Sequence, residues 1–298
     1  MYALLTIPTI VAVLMDNKQP AKTIAWIMVL LFMPFLGIVL YVFFGQDIRK
    51  QRLISNRSMD QLTKRSMLEF AEQENLHLPA DSQPLMRLFA NQNWALPFKD
   101  NQVEIYTDGY GFVFSLLQAI GRAEKHIHID TYIIEDDPLG NLIADALTDK
   151  ARQGVEVRLI YDDVGCWRVS DSFFERMRDA GIDVHAFMPV RFPAFTSKVN
   201  YRNHRKLCVV DGKVGFIGGM NLALRYVKGR GGRVWRDTHL RITGPSVLGL
   251  LHSFHSDWAF MELPQFDDGE NFSEFQSRNN GSVGVQILSS GPVGQWHN

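Results

Sequence analysis

Three residues at short spacing, His204, Lys206 and Asp211, are the strongest candidates for chemistry in this chain. The run HRKLCVV is typical of a β-strand, where residues two apart share a face, so His204 and Lys206 are expected to point into one site. A neutral imidazole can attack phosphorus, which divides one difficult displacement into two easier steps through a phosphohistidine. The ammonium group can balance the charge on the non-bridging oxygens. The spacing predicts a phosphodiester-processing site with these three catalytic residues, in which Asp211 reaches a turn and holds the site through hydrogen bonds.

The returning strand adds residues that suit a phosphate. Gly218 and Gly219 carry no side chains, so their backbone N–H groups are expected to approach a phosphate closely, and Asn221 offers a neutral amide donor. Arg205 is a further candidate substrate-binding residue. A His-x-Lys pattern alone occurs by chance and a strand histidine is more often structural, but the combined set is far more specific. No ligand spacing for a metal is evident, and no cofactor is expected.

Charge is concentrated around this motif. The stretch 191–236 holds eleven Lys or Arg residues and one acid, Asp211, in a chain of net charge −1. A solvated basic face is the ordinary interpretation of such a run. Because this one surrounds the motif, we interpret it as a local trap for anions.

The elements that must position the motif follow a β-α-β alternation, which predicts an α/β domain over residues 81–264 with a largely parallel sheet packed between helices. The expected strands cover residues 103–107, 126–134, 155–161, 182–187, 204–210, 214–217 and about 238–242. The expected helices cover residues 110–123, 139–153, 173–180 and 245–260. Asp211-Gly212-Lys213 is a strong turn signal between two apolar strands and predicts a β-hairpin.

The N-terminal region is apolar. Residues 23–44 are uncharged and long enough, as a helix, to cross a bilayer, with a kink expected at Pro34 and Gly37. Residues 1–15 are uncharged but short, and a signal peptide is the alternative for them. We expect a transmembrane helical hairpin over 1–45 and a juxtamembrane linker over 46–80. The loop holds Lys18 and Lys22 against six basic residues after the hairpin, which places the large domain in the cytoplasm.

The C-terminal region shows a weak internal repeat. Residues 265–280 read as a linker, and the segment 103–109 lines up with 285–291 at an offset of 285 − 103 = 182. We therefore expect 265–298 to be a linker and the first strand of an incomplete second domain. A second copy of His204 would then fall near position 386.

The run NHRKLCVVDGKVGFIGGMN resembles the HKD signature of the phospholipase D superfamily, and with the N-terminal hairpin the chain resembles bacterial cardiolipin synthases. The resemblance implies a mixed sheet flanked by helices and two HKD motifs facing each other. By that resemblance His204 or its missing counterpart is the nucleophile, and the other imidazole protonates the leaving glycerol alkoxide. It implies that two phosphatidylglycerols give cardiolipin and glycerol at the cell inner membrane, with no nucleic acid as partner. Asp237 falls where such enzymes often keep an acid that orients the site.

The chain departs from that family pattern because it contains one HKD motif. The second is expected from a homodimer or from a missing C-terminal half. Three alternatives stay open: a phospholipase D with water as acceptor, a membrane-tethered nuclease, and a non-catalytic lipid-binding fragment.

Several other residues invite a functional interpretation that we do not favour. The pair Asp162-Asp163 at a strand end is more often a turn cap than an acid pair. The pairs His126/His128 and His252/His255 are interpreted as packing residues, and Cys166 and Cys208 offer no disulfide framework.

Overall fold

The computed structural model describes residues 2–16, 20–41, 95–190, 202–229, 231–233, 235–264 and 281–289, with isolated positions between 84 and 89. The predicted juxtamembrane linker 46–80 and the linker 265–280 lie outside the described residues, as do several cations of the basic stretch. Contacts divide the chain into two compact units, residues 1–53 with 188–202, and residues 54–187 with 203–298.

The described residues of the N-terminal unit include the helices α1 (Tyr2–Asp16), α2 (Pro20–Phe32) and α3 (Pro34–Leu40). The break falls at Met33, whose φ of −137° is not helical, directly before Pro34. The α3 helix then packs on α2, because Gly37 has no side chain and a Cβ there would lie 3.1 Å from the Val29 carbonyl oxygen. The run 23–44, predicted as one kinked helix, is thus divided at the predicted Pro34 position into two helices within its described residues. Within the described residues, none of the helices combines the length and apolar character required to cross a bilayer.

The second unit contains a sheet in the order β4-β3-β2-β5-β6-β7-β1-β8. Its strands are β1 (Pro97–Tyr106), β2 (His126–Thr131), β3 (Glu156–Asp162), β4 (Asp183–Phe187), β5 (Lys206–Val210), β6 (Val214–Gly218), β7 (His239–Thr243) and β8 (Val283–Gln286). Strands β2, β3 and β4 are parallel, and every other neighbouring pair is antiparallel. The sheet is mixed rather than largely parallel, because the chain after residue 203 returns by hairpins instead of helical crossovers.

Helices cover both faces of this sheet. They are α4 (Gly109–Gly121), α5 (Pro138–Arg152), α6 (Asp171–Asp179), the short α7 (Arg225–Lys228) and α8 (Val247–Phe260). Successive residues of β2 face opposite sides of the sheet. Ile127 and Ile129 pack in the core cluster with α4, α5 and α6. His128 faces α8, where its ring stacks on that of Phe254 with centroids 4.7 Å apart. The packing interpretation of His128 is confirmed. The mixed sheet between helices agrees with the architecture that the family resemblance implied.

The strand β8 is the element that the internal repeat predicted as the start of a second domain. In the structure it pairs antiparallel with β1 at the edge of the same sheet, with Phe98 opposite Val285. Asn101 anchors this edge through its side-chain amide, which donates to the carbonyl of Val283 at 3.1 Å. In this structure residues 283–286 therefore extend the sheet of the second unit at its β1 edge.

Candidate active site

His204 and Lys206 meet at one opening of the second unit. Lys206 begins β5 and is 6% exposed, whereas His204 lies two residues before the strand and is exposed. The Lys206 ammonium donates a hydrogen bond to the His204 carbonyl oxygen at 2.7 Å. Both side chains flank the Tyr132 ring, with the imidazole centroid at 4.4 Å and Nζ at 4.9 Å from it. The two groups thus share one opening although His204 is outside the strand.

The local electrostatics favour a neutral imidazole beside a cation. Burial lowers the pKa of His204, and the charge of Lys206 lowers it further. Burial also lowers the pKa of Lys206 to about 8, against the opposing influence of Asp237, Asp130 and Asp162. An unprotonated ring nitrogen is the nucleophilic form, and it is favoured here over the protonated form.

Asn203 holds the segment that carries the histidine, and sequence reasoning missed it. Its side-chain amide donates to both oxygens of Asp130, at 3.0 and 2.9 Å, and its backbone N–H donates to Asp162 Oδ2 at 3.0 Å. Asp162 is fully buried, and its other oxygen accepts from the Gly165 N–H at 2.8 Å. The turn-capping interpretation of Asp162 is confirmed, and the same carboxylate also fixes the residue before His204.

Arg205 points away from the opening. Its guanidinium donates hydrogen bonds to Asp257 on α8 and to the Ser289 hydroxyl. Burial and the neighbouring Asp257 raise the pKa of Asp130 well above its usual range, and Arg205 offsets part of the charge of this acid pair. The predicted substrate-binding role of Arg205 is therefore not supported by its position, because the side chain is engaged in this network.

Asp211 lies at the opposite end of β5 from Lys206. It occupies the hairpin turn with φ of 50°, and its carboxylate accepts hydrogen bonds from the backbone N–H groups of Glu124, Lys125 and His126 at 2.9, 2.7 and 3.0 Å. The three acceptor contacts tie the turn to the start of β2. The structure thus separates Asp211 from the other two motif residues and gives it a positioning contact, as expected for a residue that holds the site.

Gly218 and Gly219 bring β7 close to β6. A Cβ on Gly218 would lie 2.5 Å from the Thr238 carbonyl oxygen, and one on Gly219 would lie 2.0 Å from Asp237 Oδ1. The Gly219 N–H donates to that Thr238 oxygen at 2.8 Å, so it is not available to a phosphate as we expected. The glycines instead make room for Asp237, whose charge acts on Lys206.

Asn221 is also committed to the fold. Its side-chain oxygen accepts from the Ile133 N–H at 3.1 Å, and its amide nitrogen donates to the Tyr226 hydroxyl. Asn221 is 2% exposed, so the predicted contact with substrate is not supported by its position. Its contacts join the segment after β2 to the segment after β6.

His239 is a buried packing residue, and His252 on α8 is partly buried. His239 stacks on Phe112 with centroids 3.9 Å apart, and burial lowers its pKa to about 3. On α8, burial lowers the pKa of His252 to about 4. Among the residues that the structure describes, no three His, Cys, Asp or Glu side chains converge as a metal site.

Two protein-family models match this chain. The family model described as "Cardiolipin synthase, PLD-like domain" matches residues 116–258, and that described as "Phospholipase_D-nuclease N-terminal" matches residues 4–46. The chain belongs to the phospholipase D superfamily. Within it, the chain is similar over nearly its whole length to cardiolipin synthases.

Two curated relatives illustrate that similarity. The cardiolipin synthase of Alkalihalophilus pseudofirmus is 37% identical over 96% of this chain and 58% of its own length. The cardiolipin synthase of Oceanobacillus iheyensis is 37% identical over 95% of this chain and 60% of its own length. The chain thus spans about three fifths of the length of these relatives. The solved phosphatidylserine synthase of Haemophilus influenzae matches 70% of this chain and 51% of its own, at 14% identity and a TM-score of 0.46, which is too distant to bear on function.

Proposed function

We propose that the chain carries the nucleophile of a membrane-associated phosphatidyltransferase, which moves a phosphatidyl group from one phosphatidylglycerol to a hydroxyl of another. The supporting observation is the exposed His204 imidazole beside the Lys206 ammonium, which is fixed by a 2.7 Å hydrogen bond and the Tyr132 ring. Similarity to cardiolipin synthases supports the lipid substrate.

The reaction proceeds in two displacements. A ring nitrogen of His204 attacks phosphorus, a P–N bond forms, and the P–O bond to the departing glycerol breaks. The leaving alkoxide takes a proton from a second imidazole. An acceptor lipid hydroxyl then returns its proton to that imidazole, its oxygen attacks phosphorus, and the P–N bond breaks to restore neutral His204. Lys206 stays charged near the non-bridging oxygens throughout.

The second imidazole belongs to a second HKD motif. A general acid contributes about 10²–10⁴ in rate, so the first displacement depends strongly on it. It comes from a second copy of the chain, paired about a twofold axis, or from a further segment of a longer polypeptide.

The N-terminal unit attaches the enzyme to the inner membrane. Its helices leave a large apolar surface uncovered, in which the most prominent side chains are 60–76% exposed. These are Ile7, Met15, Ile24, Phe32 and Phe35. An uncovered apolar area of this kind marks a membrane or protein contact, and the excess of basic residues after the helices favours a catalytic unit on the cytoplasmic side.

The test uses the chain, as a dimer or joined to the segment that supplies the second HKD motif, in vesicles with phosphatidylglycerol labelled at phosphorus. The expected result is a covalent label on His204, seen after an alkaline quench, together with labelled cardiolipin. His204→Ala abolishes both signals, and Lys213→Gln, at an exposed turn position, serves as the matched control. Cleavage of DNA without lipid turnover contradicts the proposal in favour of a nuclease, and headgroup binding without covalent label contradicts it in favour of a binding fragment.

A further inference from the structure

A groove outside the nucleophile opening is formed by Glu135, Arg168, Arg225 and Trp235. Its volume is about 530 Å³, within the range of about 300–1,000 Å³ that small-molecule sites occupy. All four residues belong to the same compact unit as His204.

The groove lies among the loops that border the nucleophile. Glu135 follows Tyr132 by three residues, and its N–H donates to the Leu222 carbonyl at 3.1 Å. Arg168 lies on the loop after β3, where Gly165 approaches the Tyr132 carbonyl so closely that a Cβ would be 2.1 Å away. The Tyr132 ring contacts the His204 imidazole, so one loop of the groove carries this tyrosine and the other packs against it.

The lining combines groups for an anion with groups for hydroxyls. Arg168 is exposed and makes no ion pair with another described residue, so its fork of N–H donors is open to a phosphate. Arg225 forms an ion pair with Glu135, and this carboxylate retains acceptor capacity for hydroxyl groups. Trp235 is 40% exposed, and its ring contacts Tyr226 at 5.0 Å, which adds an apolar wall.

We propose that this groove binds the glycerophosphate headgroup of the acceptor lipid. The inference rests on the function proposed above, in which the acceptor carries a phosphate of its own. Two phosphates held by Lys206 alone would repel each other, so the second one requires a separate cation. Arg168 holds that phosphate, and the carboxylate of Glu135 accepts from a glycerol hydroxyl.

The binding test uses the full chain with His204→Ala and Lys206→Met, which remove the other anion site. Equilibrium dialysis with labelled glycerol 3-phosphate, inorganic phosphate, and nanodiscs of phosphatidylglycerol or phosphatidylcholine separates the sources of the anion. Arg168→Gln is expected to weaken glycerol 3-phosphate binding at least about tenfold, which is about 1.4 kcal/mol, and Arg168→Lys to weaken it less. Arg122→Gln, an exposed change at the far end of α4, is the matched control.

Selectivity identifies the ligand. Glycerol 3-phosphate is expected to bind more tightly than inorganic phosphate, and Glu135→Gln to reduce that preference. Phosphatidylglycerol nanodiscs are expected to displace labelled glycerol 3-phosphate from the groove, and phosphatidylcholine nanodiscs are expected not to displace it, although the N-terminal unit contacts both. Equal binding of both soluble anions, indifference to Arg168→Gln, or no binding at all overturns the proposal, and thermal melts verify that each variant is folded.

An activity measurement distinguishes failure of this inference from failure of the proposed function. In the otherwise unchanged chain, Arg168→Gln raises the KM for acceptor lipid, while the covalent labelling of His204 by donor lipid stays at the original rate. Loss of labelling in that variant overturns the acceptor assignment. Absence of labelling in the unchanged chain rejects the proposed function instead, and the dialysis result still decides what the groove binds.

Discussion

Replacing Asp211 tests whether the third residue of the motif acts on the substrate or on the fold. Its carboxylate accepts from three backbone N–H groups, at 2.7–3.0 Å, across 85 to 87 positions of sequence. Its own N–H donates to the His126 carbonyl at 2.9 Å. These contacts fix the β5–β6 turn to the beginning of β2, at the end of the sheet remote from His204. We therefore expect Asp211→Asn to destabilise the fold more than it affects the chemical step.

The size of the effect follows from the contacts. A hydrogen bond to a charged group contributes about 1.5–3 kcal/mol, and a backbone donor left unpaired costs about 1–3 kcal/mol. Asparagine retains one acceptor oxygen but turns an NH2 group toward the remaining donors, so the combined loss is about 3 kcal/mol. In a unit of this size, that corresponds to a fall in Tm of about 6–12 °C. Alanine adds about 1 kcal/mol more, because the residue has φ of 50° and asparagine tolerates this conformation better.

Urea denaturation followed by circular dichroism measures the free energy of unfolding, and covalent labelling of His204 at low temperature measures the chemical step. Asp179→Asn, an exposed change at the end of α6, controls for loss of one negative charge. The reasoning is refuted if Asp211→Asn changes the free energy of unfolding by less than about 0.5 kcal/mol while labelling disappears, since Asp211 would then act in the reaction.

Three further predictions concern the opening itself. Asn203→Ala removes both hydrogen bonds to Asp130 and is expected to lower the free energy of unfolding by about 1–3 kcal/mol in urea titrations; an unchanged midpoint would contradict the anchoring role. Gly219→Ala places a Cβ 2.0 Å from Asp237 Oδ1. Steady-state assays should therefore show reduced phosphatidyl transfer, while the far-ultraviolet circular dichroism spectrum stays unaltered. Full activity would show that Asp237 can shift without consequence for the reaction. Because burial lowers the pKa of Lys206 to about 8, its charge is present below that pH and lost above it. Phosphatidyl transfer should therefore decline as pH rises through about 8. Lys206→Arg should move that decline to higher pH. If the decline stays at the same pH in this variant, another group is responsible for it.

The local sequence pattern was sufficient to predict which residues form strands and which form helices. The strand over residues 155–161 and the helix over 139–153 appear within one residue of their expected bounds, as Glu156–Asp162 and Pro138–Arg152. Hydrophobic alternation and the turn residues that end an element act over a few positions, so they are visible in the sequence itself. The hairpin around Gly212 was predicted for the same reason, and Lys213 N–H donates to the Val210 carbonyl at 2.9 Å across it.

The supporting contacts of the site could not be predicted in that way. Asn203 pairs with Asp162 and Asp130, which lie 41 and 73 positions away, and nothing in the local pattern around any of them indicates the partner. The substrate contacts predicted for Gly219 and Asn221 are not supported by the structure. The Gly219 N–H donates to Thr238, and the Asn221 side chain bonds to Ile133 and Tyr226. The sequence of a glycine pair does not show whether the pair contacts a phosphate or a neighbouring strand.

The sequence by itself determined the motif, the order of strands and helices, and the apolar character of the N-terminal region, because each depends on residue type and short-range periodicity. Tertiary structure alone decided that Lys206 and His204 share the Tyr132 ring, and that Arg205 turns to α8. It also decided that the apolar run after Pro20 folds back at Met33. These outcomes depend on which groups, distant in sequence, hydrogen-bond to each polar atom and on which backbone segments can approach each other closely. Only the folded structure brings those groups together.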